Sequence, residues 1–197
     1  MEIKHKHIDK KFEYNGSQIN PSWAFKTFGI KGSSIITWCG PMNITPNNMK
    51  DFADVGLEIK GKEMLHCMSE FFDIQPANIR MAYMRQRLLV LIFKEELSKM
   101  GVESTRDGDD IFVNGAKLTV SIASVSISSM KIHFAFNLKD EGTPNVLDTI
   151  GLYEIKNEKG ELVFNQNNLL DFVNNFVNSF IKELQTIELD ISKTDVL

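Results

Sequence analysis

Gly108-Asp109-Asp110-Ile111-Phe112-Val113-Asn114-Gly115-Ala116-Lys117-Leu118-Thr119-Val120-Ser121-Ile122-Ala123 decides the fold. A charged glycine turn leads into a short apolar strand, Asn114-Gly115 is the dipeptide that favours a tight hairpin turn, and a second strand begins at Ala116. Strict alternation would set Leu118, Val120 and Ile122 on one face of that second strand, and Lys117, Thr119, Ser121 and Ala123 on the other. A lysine heading a small, hydroxyl-lined face is well placed to touch a phosphate or a carboxylate.

Downstream, Met130 to Asn137 alternates again, with Ile132, Phe134 and Phe136 against His133, Ala135 and Asn137. Pairing the two strands as a hairpin would line Lys117, Ser121, His133 and Asn137 along one surface. His133 is then either a substrate contact or a hydrogen-bonded, half-buried histidine. A strand at Ile150 to Ile155 follows, and a closing helix over 168–184 carries Leu169, Phe172, Val173, Phe176, Val177, Phe180, Ile181 and Leu184 on one stripe.

Upstream, the spacing predicts a helix from Ala77 to Met100, with Pro76 in its first turn and Gly101 stopping it. Arg87 lies beside its apolar centre, where it could bind an acidic or phosphorylated group. Met64, Leu65, Met68, Phe71 and Phe72 recur at helical spacing, so Lys62 to Phe72 reads as a short amphipathic helix. His66 and Glu70 would share one face of it, as an acid/base pair, two metal ligands or an ordinary ion pair. Ser33 to Cys39 reads as a strand ended by Gly40-Pro41, and Asn15-Gly16 as a hairpin turn. Cys39 is a nucleophile at a strand end or a small buried thiol. His5 and His7 are alternate residues that could share a metal or lie on a solvated terminus. Asp107, Asp109 and Asp110 crowd one turn, so either a cation such as Mg²⁺, held through Asp110, or turn solvation must relieve their repulsion.

With 197 residues, 43% of them hydrophobic, the chain can bury a substantial core, and a single domain over 1–197 is expected. A formal net charge of -4 and no sustained basic stripe argue against nucleic acid. The charged first residues and the lack of a long apolar run argue against secretion and membrane insertion, and the two unpaired-looking cysteines suit a reduced, cytoplasmic protein. Walker A, Rossmann, zinc-finger and GxSxG patterns are all missing.

Gly32-Ser33-Ser34-Ile35-Ile36, Met64-Leu65-His66, Glu70-Phe71-Phe72-Asp73, Arg85-Gln86-Arg87-Leu88-Leu89 and Gly108-Asp109-Asp110 with Lys117-Leu118-Thr119-Val120-Ser121-Ile122 resemble an uncharacterised family, the domain of unknown function 366, along nearly the whole chain. That family looks like a compact relative of the biotin and lipoate protein ligase catalytic domain. In those ligases an Asn-Asp-Ile turn precedes a strand whose lysine contacts the carboxyl or acyl-phosphate of the activated acid. Asp109-Asp110-Ile111 and Lys117 resemble that arrangement, with Asp109 in place of the asparagine. The ligase's glycine- and arginine-rich substrate loop has no counterpart ahead of Gly108.

The resemblance implies an α+β domain with a mixed, largely antiparallel sheet, helices mainly on one face and a groove on the other. It implies a small ligase or transferase for a carboxylic acid or acyl group, with Lys117, His66 and His133 as catalytic candidates. Arg87, Ser121 and Asn137 would contact substrate, Asp109, Asp110 and Lys117 would contact ATP, and Asp110 would hold Mg²⁺. A non-catalytic small-molecule or nucleotide binding module on the same fold is the alternative, and a homodimer is an expectation of either.

Overall fold

The computed structural model describes residues 2–144 and 147–195. Met1, Asn145, Val146, Val196 and Leu197, which the expected domain over 1–197 includes, lie outside the described residues. Five strands form one sheet in the order β1 (Lys4–Ile8), β2 (Ser34–Asn43), β3 (Lys60–Phe71), β8 (Met130–Asn137) and β7 (Thr119–Val125). Only β1 and β2 run parallel, and the other neighbours are antiparallel. A smaller antiparallel sheet joins β4 (Thr105–Asp107), β5 (Asp110–Val113) and β6 (Ala116–Lys117). The helices are α1 (Trp23–Phe28), α2 (Ile79–Lys99) and α3 (Gln166–Ser192).

The two long helices are where periodicity puts them, although their ends differ. Asn78 caps α2 by accepting a hydrogen bond from the Met81 amide, so Pro76 stands outside the helix rather than in its first turn. Gly101, with φ 76°, takes the left-handed conformation that ends α2, and Val102 donates back to the Leu97 carbonyl. Asn165 and Asn168 form a reciprocal cap that starts α3, which continues well beyond Leu184. Asn114 and Gly115, at φ 54° and 83°, make the tight turn from β5 into β6.

The segment expected as a helix over 62–72 is β3, the central strand. Both of its faces are buried, with Leu65, Cys67 and Phe71 toward α2 and α3, and Met64 and Met68 on the opposite side. A strand covered on both faces reads as a continuous apolar run, and the helical spacing within it is coincidence. His66 and Glu70 therefore lie about 13 Å apart along an extended chain rather than one turn apart. Glu70 accepts from the Ser22 amide and the Ser129 hydroxyl, far from any imidazole role.

Other expectations are also revised. Asn15-Gly16 opens a single 3₁₀ turn instead of a hairpin, since Tyr14 bridges to Met42. Strand β2 runs on through Gly40-Pro41 with a register irregularity there. Gly40 is required at that point because a Cβ would sit 1.9 Å from the Phe12 carbonyl oxygen. His5 and His7 belong to β1, and both meet the Thr37 hydroxyl, at 3.1 and 3.0 Å. Residues 150–155 form a 3₁₀ turn at Leu152–Glu154 rather than a strand.

The main core fills the space between the sheet and α2 and α3. Phe93 stands at its centre, with ring centroids 5.0 Å from Phe134, 5.0 Å from Phe136, 5.7 Å from Phe172 and 5.2 Å from Phe176. Each such ring contributes about 1.5–3 kcal/mol through burial alone. A smaller core on the opposite face of the sheet gathers Tyr14, Ile19, Ile36, Trp38, Met64 and Met68.

Candidate functional site

Leu118 is the joint on which the site depends. Its amide donates to Ile111 in the small sheet at 2.8 Å, and its carbonyl accepts from the Asn137 amide in the large sheet at 3.0 Å. Side-chain alternation restarts at this crossing, so Leu118 joins the helix-side core, whereas Val120 and Ile122 pack on the opposite face. Lys117, one residue earlier, is held at its backbone by Asp148 and Ile150 through hydrogen bonds of 2.8 and 3.1 Å. Its ammonium reaches Asp110 Oδ2 at 2.7 Å, and the two side chains are 25% and 30% exposed. Burial pushes the Asp110 carboxyl above its usual range, opposed by Lys117 and reinforced by Asp109 and Asp107.

Lys117 opens onto a cleft of about 610 Å³. The outer face of the sheet forms its floor through Met64, Val120 and Asn137, and Thr119 borders it. Leu57, Ile59, Pro144 and Leu147 form apolar walls, and Asp54, Glu58, Lys60, Thr143 and Thr149 bring polar groups to its edges. Lys60 is already paired with Glu58 at 2.6 Å. Burial raises Asp54, which also senses Asp51 and Lys117. Such a cleft suits a ligand with an apolar body and one anionic end.

Of the residues singled out in the sequence, Lys117 and Asn137 meet in this cleft, with Asp110 behind Lys117. His133 faces the same side of the sheet, because its register partner on β7 is Ile122. It is 1% exposed and stacks beneath Tyr14 at 3.6 Å between ring centroids. His66, fully buried, contacts the Gly40 carbonyl through Nε2 and His133 Nε2 through Nδ1, both at 3.1 Å. A carbonyl can only accept, so His66 carries its proton on Nε2 and accepts from His133. Burial lowers His66 to about 4 and His133 well below its usual value, so both are neutral near pH 7.

Arg87, Ser121 and Asp109 gather elsewhere, on the α2 side. Ser121 is opposite Phe134 in register, and its hydroxyl accepts from Gln86 Nε2 at 2.7 Å. The same Gln86 nitrogen donates to Asp109 Oδ2 at 2.9 Å. Arg87 approaches Asp109 Oδ1 at 2.5 Å as an ionic contact without hydrogen-bond alignment. The acidic turn thus finds its cations in the protein itself, Arg87 for Asp109 and Lys117 for Asp110. Asp109 and Asp110 turn to different partners, and among the described residues no group of three or more His, Cys, Asp or Glu side chains could hold a metal ion. Cys39 is half-buried, and burial raises its thiol, which does not suit a nucleophile.

Sequence reasoning missed the walls of the cleft. Asp54, Glu58 and Lys60 lie on or beside a segment with no clear period, and Thr149 reaches Lys117 only because residues 148–150 run alongside it. No helix is long and apolar enough to cross a membrane among the described residues.

A family model, the domain of unknown function 366, matches residues 3–195. The uncharacterized protein MJ0805 of Methanocaldococcus jannaschii is 34% identical, covering 95% of this chain and 82% of the relative. A protein of unknown function from Pyrococcus horikoshi is similar in structure, with a TM-score of 0.89, 34% identity and full coverage of both chains. A biotin protein ligase from Aquifex aeolicus in complex with biotin and ATP matches 91% of this chain and 71% of its own, with a TM-score of 0.55 at 13% identity. LipL1 of P. falciparum in complex with lipoate matches 99% of this chain and 64% of its own, with a TM-score of 0.53 at 13% identity.

Proposed function

Because the chain belongs to the family of the domain of unknown function 366 and has a biotin/lipoate ligase-like fold, we propose that the Lys117 cleft binds the carboxylate or acyl end of a small organic acid, as part of an acyl-group ligase or transferase. One observation carries the reading: a partly buried ammonium opens onto a cleft of about 610 Å³ whose walls are mainly apolar. In that position Lys117 neutralises the acid's charge, or the charge that develops on a carbonyl oxygen during transfer. Asp110 aims the ammonium, and Asn137 adds a polar contact on the floor. The volume of the cleft and its apolar walls accommodate the acid's hydrocarbon body.

ATP, present in the Aquifex aeolicus complex, is a poorer fit to this cleft. Both lysines lining it already have carboxylate partners, and Asp54 adds a further negative group where a triphosphate would need positive charge. Transfer from a neutral activated acyl donor is the version the residues favour. A non-catalytic binding module is the second reading. It is favoured by the closed His66–His133 pair, whose hydrogen bonds and Tyr14 cover keep both imidazoles away from Lys117.

Calorimetry with octanoate tests the binding reading. The expected result is saturable binding that weakens at least about tenfold in Lys117→Ala, the scale of losing a charge-assisted hydrogen bond. Undetectable octanoate binding, or equal binding by the variant, overturns it. Thiol release from an octanoyl thioester in the presence of an amine separates a transferase from a binding module. Mg²⁺-dependent ATP binding that is lost in Lys117→Ala would instead establish the ATP-dependent ligase version.

A further inference from the structure

At the other end of β3, about 20 Å from Met64 by strand rise, a second cavity of about 200 Å³ lies between α1, the loop that follows it and the sheet. Its lining includes Ser22, Phe25, Ile30, Lys31, Glu70 and Phe72. Glu70 is 4% exposed. Oε1 accepts from the Ser22 amide at 2.8 Å and from the Ser129 hydroxyl at 2.6 Å, whereas Oε2 has no protein donor among the described residues. Lys131, itself 2% exposed, stands opposite Glu70 in register and touches Ser129 O and Oγ at 3.3 and 3.4 Å, so its charge is felt at the carboxylate although it makes no ion pair with it. Lys31 lies at the rim, exposed, and makes no ion pair with Glu70.

The second carboxylate oxygen has no protein donor but stays accessible at the cavity that Glu70 lines, where it is free to pair with a cation supplied from outside. The flanking aromatic side chains point to the kind of cation. Phe25, 50% exposed, and the half-buried Phe72 present ring surface to the same space, and aromatic faces attract ammonium groups that have shed their water. The volume corresponds to about six or seven water-sized groups, enough for a short alkyl chain.

We propose that this pocket binds a small alkylammonium ion, with its charged nitrogen on Glu70 and its chain between Phe25 and Phe72. The site is separate from the Lys117 cleft and does not rest on the function proposed for it. The same face of the sheet thus carries an anion-directed site at one end and a cation-directed site at the other.

Calorimetry with n-butylammonium chloride on the full chain, with n-butanol and sodium butyrate as controls, tests the assignment. Saturable binding of the ammonium alone is expected, abolished in Glu70→Gln, weakened about fivefold in Phe25→Ala and unchanged in Lys117→Ala. Circular dichroism monitors folding of each variant. Should Glu70→Gln unfold, Phe25→Ala decides, because that side chain is half-exposed and its loss leaves the core intact. Undetectable butylammonium binding, equal binding of butanol, or full affinity in Phe25→Ala overturns the proposal.

Discussion

The two faces of the five-stranded sheet are built on different principles. Toward α2 and α3 the core is mainly apolar, and four phenylalanines from β8 and α3 converge on Phe93 of α2. On the opposite face, β3 and β8 present His66, Glu70, Lys131, His133 and Asn137 among methionines and aromatics, and each polar group needs a named partner. The first face makes the fold stable by area and close packing. The second trades some of that for chemistry, because every buried polar atom there is stabilising only while its partner stays in place.

Substitutions on the two faces should therefore differ in size and in pH dependence. The largest effect belongs to the helix side: Phe93→Ala should lower unfolding free energy by about 3–5 kcal/mol, read from urea denaturation. A loss below about 1 kcal/mol would mean that the phenylalanine cluster is not the main support. His133→Phe, on the other face, keeps a ring beneath Tyr14 but leaves His66 Nδ1 without its donor, costing about 1–3 kcal/mol at neutral pH.

The same variant sharpens the comparison through pH. Both imidazoles have lowered values in the fold, His66 to about 4, whereas in the unfolded chain they protonate near 6.5. Between those values the unfolded state binds more protons, so stability is intact above about pH 6.5 and falls as pH drops toward 4. Each such histidine contributes a slope of up to about 1.4 kcal/mol per pH unit. His5 and His7 are shifted in the same direction and keep their share in the variant. His133→Phe should thus show a shallower loss between pH 6.5 and 5 than the parent, and identical slopes would contradict the assignment.

Smaller effects mark the edges. Lys117→Ala breaks a partly exposed ion pair and should shift stability by less than about 1 kcal/mol while removing carboxylate binding, a separation that thermal denaturation and calorimetry read together. Phe52→Ser, at a residue 94% exposed, should change stability by less than about 0.5 kcal/mol. A larger drop would show that the 49–59 segment is packed more firmly than its exposure indicates.

The sequence is most legible where one physical requirement acts alone. Helices α2 and α3 each bury a single stripe, so their periods show, and Asn114-Gly115 supplies the φ values its turn requires. Strand β3 is covered on both sides, and burial on both sides erases the alternation that would have identified it. The hydroxyl-lined face expected from Lys117 to Ala123 fails for another reason. The chain changes sheets at Leu118, so Lys117 faces the cleft while Ser121 faces Gln86, and no local pattern encodes that crossing. Arg87 and Asp109 were legible as charges but not as partners of each other, because their contact depends on how α2 lies across the acidic turn.

Leu118 also has a kinematic consequence. One peptide unit on each side of its α-carbon is fastened to a different sheet, its N–H to β5 and its C=O to β8. Neither sheet can slide past the other along its strands without breaking one of those bonds. Rotation about the backbone at Leu118 is opposed as well, because the Ile111 amide donates to Thr119 Oγ1 at 2.8 Å and Ile111 and Val113 are buried in the shared core, which makes this residue a weld. The separation of Lys117 from Asn137, and with it the gape of the cleft, is then held by both sheets at once, with residues 148–150 hydrogen-bonded to both residues.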